Sequence, residues 1–104
     1  MHAVLVTFES TVGLDDLAAP FAAYAEALRG VPGLAAKVWL HDGATVGGFH
    51  LFADRADADA YLQGDLFAGV AANPAFRAFR VEHFGVLDGL GAVTGGRLLD
   101  AVPA

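Results

Sequence analysis

From His2 to Phe8 the chain is apolar on both sides of an extended backbone, with Val4, Val6 and Phe8 on one side and Ala3, Leu5 and Thr7 on the other. A segment with no clean polar face reads as a central strand covered on both sides. The period then changes. Leu14, Leu17, Ala18, Phe21, Tyr24, Ala25 and Leu28 fall on one stripe of a helix, and Gly30 offers a left-handed stop after it. Pro20 interrupts that stripe and predicts either a kink or a helix whose regular part begins near Ala19.

Val31-Pro32-Gly33 reads as a turn, and the stretches Leu34 to His41 and Gly47 to Ala53 read as antiparallel strands joined through Asp42-Gly43. Asp54 is placed to cap the next helix, with Asp57 at the acidic position of a capping box. Ala58, Tyr61, Leu62, Leu66 and Val70 give that helix its buried side, and Gly64 is a point where it could divide. Asn73-Pro74 ends it, Phe76 to Val86 forms the last strand, and a Gly-rich tail without periodicity follows from Asp88. The order β-α-β-β-α-β predicts a single α+β domain over residues 1–104, of ferredoxin-like type with an antiparallel sheet.

Composition sharpens this picture in two ways. The 56% apolar content and mean hydropathy of +0.51 exceed what one small core needs, which points to a partner subunit, an apolar ligand cavity, or both. A net charge of -6, with only six Lys and Arg, leaves no footprint for a phosphate backbone or an anionic lipid surface, so neither nucleic acid nor membrane is an expected partner. With no cysteine, thiolate metal sites, disulfides and cysteine nucleophiles are excluded. No basic stretch followed by a long apolar core begins the chain, and a cytoplasmic location is expected.

An even-numbered hairpin loop would put Lys37 and Trp39 on one sheet face with Gly48, His50 and Phe52, and Val38, Leu40, Phe49 and Leu51 on the other. One Trp, one Lys and one His beside bare glycines suit a pocket for an apolar aromatic molecule. The plainer alternative is that Trp39 covers the glycine backbone while Lys37 snorkels to water. His50 is the candidate general base, because an imidazole titrates near neutral pH, or else a satisfied core histidine. His83 and Arg80 on the last strand could share the pocket or face solvent. Tyr61 could close the pocket or fill the core. His2 and His41 are expected to be solvated, and no pair of histidines has a ligand spacing that would predict a metal.

Pro32-Gly33-Leu34, Lys37-Val38-Trp39, Gly47 to Phe52 and Ala60-Tyr61-Leu62 together resemble the YdhR-type mono-oxygenase family, relatives of the antibiotic biosynthesis mono-oxygenases. The resemblance is strong from Val31 to Leu62 and weaker through Phe84 and Val86 to Leu98. It implies a dimeric α/β barrel in which two sheets pack face to face, with an apolar pocket between sheet and helices in each subunit. It also implies oxidation of phenolic, polyketide-like substrates without metal, flavin or other cofactor. His50 stands where the family more often has tyrosine, so that phenol's role cannot be carried over. Cyclisation or isomerisation of a similar substrate, and ligand binding without catalysis, are the alternatives, since the fold also hosts isomerases and haem-degrading enzymes.

Overall fold

The computed structural model describes residues 1–95; the end of the Gly-rich tail, Leu98 included, lies outside the described residues. The elements run β1 (His2–Ser10), α1 (Leu14–Leu28), β2 (Leu34–Asp42), β3 (Thr45–Phe52), α2 (Arg55–Leu62), α3 (Asp65–Ala71), β4 (Phe76–Gly85) and α4 (Asp88–Val93). They form a four-stranded antiparallel sheet of order β2-β3-β1-β4, with the main core between the sheet and α1 to α3. This is the expected ferredoxin-like α+β arrangement. β1, without a clean polar face, occupies an interior position, and its Val4, Val6 and Phe8 join Phe52, Ala58 and Tyr61 in the core.

Several local readings are corrected. α1 runs through Pro20 from Leu14, so its regular part does not wait until Ala19. Gly30 is not left-handed; the positive φ of 78° belongs to Gly33, where a Cβ would collide with the Asp57 side chain. The hairpin turn is Gly43-Ala44 rather than Asp42-Gly43, since Asp42 still pairs with Thr45. Its first residue, Gly43, has φ 59°, the place where a type II′ turn calls for glycine. Asp54 does cap α2, its carboxylate accepting the Asp57 N–H at 2.9 Å, and Gly64 does separate α2 from α3. The tail from Asp88, which shows no periodicity in the sequence, begins with the short helix α4.

One irregularity shapes the cavity wall. Phe76 and Phe79 are three apart on β4, so regular alternation would send them to opposite faces. A register shift between Thr7 and Glu9 of β1, with Ala78 at φ 56°, inserts the extra residue of a bulge. Both rings then pack on Phe8, Phe76 tilted with its centroid at 4.6 Å and Phe79 stacked at 4.8 Å.

Candidate active site

The β2–β3 ladder pairs Lys37 with His50 and Trp39 with Gly48, so all four share the sheet face that carries the helices. Above them is a cavity of about 270 Å³, walled by α1 through Phe21 and Tyr24, by α3 through Phe67 and Val70, and by β4 through Phe76. Gly48 has a steric role here. A Cβ on it would fall on the Lys37 side chain, so the bare backbone is the bed on which the lysine stem lies. The stem carries Nζ to 3.6 Å from the centre of the Trp39 ring and 5.1 Å from that of Tyr24, a cation–π arrangement. Burial in these surroundings pulls the Lys37 pKa down to about 8.

His50 lies in the cavity floor, 2% exposed, between Phe52 and Tyr61. Its Nδ1 is 3.1 Å from the Val4 carbonyl oxygen, which can only accept, so Nδ1 carries the hydrogen and donates. Nε2 is buried with no partner among the described residues. Burial first, and then the Lys37 charge, lower the pKa to about 4 against the pull of the Val4 hydrogen bond, so the ring is neutral at pH 7. The unfolded chain therefore binds more protons than the folded one between pH 6.5 and about 4, and stability must fall as pH falls through that window. At about 1.36 kcal/mol per pKa unit the loss is on the order of 3 kcal/mol. His50→Phe is expected to flatten this part of a melting-temperature profile; an unchanged profile would place the acid-sensitive group elsewhere.

Tyr24 and Tyr61 meet through their hydroxyls above the floor, and burial raises both phenol pKa values. The structure thus brings Lys37, Trp39, His50 and Tyr61 together around one cavity and adds Tyr24 and Phe21. Neither addition was picked out as a site residue in the sequence, because their helical spacing reads simply as core. Three other candidates lie outside the cavity lining. Phe52 is fully buried beneath it. Arg80 pairs with Thr7 on the opposite sheet face, its exposed guanidinium 3.7 Å from Glu82. His83 contacts His2 through a 2.8 Å ring-nitrogen hydrogen bond. His2, expected in solvent, is buried, and burial followed by the neighbouring His83 lowers its pKa.

The fold agrees with comparisons to known proteins. Residues 4–97 match the family model described as "Putative mono-oxygenase ydhR", and the chain belongs to that family. Among solved structures it is similar to the NE2512 protein of unknown function from Nitrosomonas europaea, at 32% identity and TM-score 0.67, over 83% of this chain and 88% of that one. It is similar in fold to an antibiotic biosynthesis monooxygenase, at 17% identity and TM-score 0.68, over 84% of this chain and 99% of that one. A third likeness is to a mutant of SnoaB, a cofactor-independent oxygenase from Streptomyces nogalater, at 14% identity and TM-score 0.65, over 83% of this chain and 92% of that one. No curated protein matches the chain.

Proposed function

We propose that the chain is a cofactor-independent mono-oxygenase of a small phenolic aromatic, with Lys37 as the proton acceptor. The observation that carries this reading is the amine of the chain's one lysine, set in an aromatic-walled cavity whose described lining contains no carboxylate. The family and the SnoaB likeness support it, because SnoaB is an oxygenase of this fold that needs no cofactor.

The base expected at His50 moves to Lys37 for a physical reason. A ring with a pKa of about 4 and a buried Nε2 is a weak and unreachable base, whereas an amine with a pKa of about 8 has a free fraction at neutral pH. His50 is then a neutral part of the floor. Lys37 takes the phenolic proton, and the electron-rich phenolate reduces O2 in a water-poor cavity floored by Trp39. One oxygen atom enters the ring and the other leaves as water, so a phenol and O2 give a quinone and H2O. The substrate supplies all the electrons.

Incubated with one- and two-ring phenols in buffer free of metal and flavin, the protein is expected to consume one O2 per quinone formed. Conversion without oxygen uptake would favour a cyclase or isomerase, and binding without conversion would favour an accessory protein.

A second copy of the chain is proposed to cover the open sheet face, where Val38, Leu40 and Phe84 are 42, 40 and 48% exposed beside Leu5 and Phe49. Light scattering is expected to give twice 10.7 kDa, and Val38→Asp to shift the protein to monomer. A wild type that stays monomeric and soluble at micromolar concentration would overturn the dimer. No helix among the described residues is long and apolar enough to cross a membrane.

A further inference from the structure

We propose that this cavity selects aromatic monoanions, with the Lys37 ammonium as counter-charge: its ligand is a one- or two-ring arene bearing an ionised oxygen, either phenolate or carboxylate. The proposal rests on the same cavity as the oxygenase reading but concerns recognition rather than reaction.

The cations of the chain are unevenly matched. Arg29, Arg55, Arg77 and Arg80 each face a carboxylate, on Glu26, Asp59, Glu9 and Glu82. Lys37 is the one described side-chain cation of Lys or Arg type without an ion pair, and it is also the more enclosed. That is the reverse of what electrostatics favours, since an exposed charge is hydrated on all sides and a half-buried one only in part. The polar groups around it do not fill the gap. The Tyr24 and Tyr61 hydroxyls bond each other, His50 donates its Nδ1–H to Val4 while its Nε2 makes no hydrogen bond, and the Asn73 side-chain oxygen accepts from the Ala75 N–H, so none of them is bonded to the ammonium. The rings of Trp39 and Tyr24 offer only their π faces, which attract an ammonium but leave its N–H donors without an oxygen acceptor.

An anionic oxygen would supply that acceptor, and the remaining walls fix the rest of the ligand. Phe21, Trp39, Phe67 and Phe76 present ring surface, which favours a flat apolar body. A volume of about 270 Å³ lies just below the usual range for drug-sized ligands, which limits that body to one or two rings. The net charge of -6 gives no long-range attraction for anions, so the preference comes from Lys37 at contact distance.

The probes are 2-naphthoate and its neutral near-isostere 2-naphthamide, titrated at pH 7 by calorimetry. Trp39 is the only tryptophan, so the single indole N–H signal in a ¹H–¹⁵N spectrum reports whether binding occurs in this cavity. The carboxylate is expected to bind roughly tenfold tighter than the amide or better, the scale of one charge-assisted hydrogen bond. Lys37→Arg should keep most of that preference and Lys37→Met should abolish it. In the wild type the preference should decline between pH 7 and 9.5 as the ammonium is lost, a measurement that needs no variant to fold. Equal affinity for the two probes overturns the proposal, as does a preference that survives Lys37→Met, or a Trp39 signal that neither probe moves. Because these readouts are of binding, anion selectivity can fail while oxygen uptake stands, and the reverse.

Discussion

Gly47→Ala is expected to lower the melting temperature by roughly 15 °C or more, or to prevent folding, although it adds only a methyl group. Gly47 pairs with Thr7 on β1 and Leu40 on β2, in the middle of the sheet. A Cβ there would overlap the Val6 carbonyl oxygen and press on the Val6 carbonyl carbon and Thr7 Cα, all backbone atoms of β1. Relief would require β1 to move away from β3, and β1 is also hydrogen-bonded to β4. A cost on the order of 4 kcal/mol, most of a small domain's stability, follows from disrupting that ladder. Gly48→Ala is the contrasting case one residue on. Its Cβ would meet the Lys37 side chain and, at 3.3 Å, the His50 ring, so the lysine can swing aside while the backbone stays. That variant should melt within a few degrees of the wild type yet lose the naphthoate preference. If both variants behave alike, the two glycines do not divide the work of strand packing and amine placement as described.

This contrast also marks how far the sequence could be read. The element order and the shared face of Lys37, Trp39, Gly48 and His50 were legible because alternation along a strand depends on the chain alone, once the hairpin loop is even. The two loop residues slid by one, but Asp42-Gly43 and Gly43-Ala44 give the same parity, so the faces came out the same. What could not be read was anything that depends on an irregularity or on long-range pairing. The bulge at Ala78 reverses the phase of β4, and alternation from Phe76 then misplaces Arg80 and His83 relative to the cavity. Tyr24 and Tyr61 are 37 residues apart, and only the fold, which sets α1 and α2 over the same core, makes them partners. His50 was recognisable as a mixed-face residue, but its burial, and therefore its weakness as a base, depends on how closely Phe52 and Tyr61 enclose it.

Lys37→Met is expected to lower turnover of neutral phenols by roughly 10²-fold, the scale of a lost general base. The pH profile distinguishes this from a packing effect. For a phenol that enters with its proton, the wild-type rate should rise as pH passes about 8, where the amine becomes free. In the methionine variant that rise should vanish, leaving only an increase near the phenol's own pKa, about 10 for an unactivated ring. For an acidic phenol already ionised at pH 6 the order reverses. Such a substrate needs the ammonium, so its affinity should fall as pH rises through the same value. Opposite slopes about one midpoint, from two substrates on one protein, require a single titrating group that acts as base toward one and as counter-charge toward the other. Thermal stability carries a third sign. The folded-state pKa of about 8 lies below the ordinary 10.5, so the unfolded chain binds more protons between those values. Lys37 therefore makes the protein more stable as pH rises from 8 to 10.5, and Lys37→Met should remove that increment. Parallel slopes for the two substrates would separate the titrating group from Lys37 and overturn its role as the base.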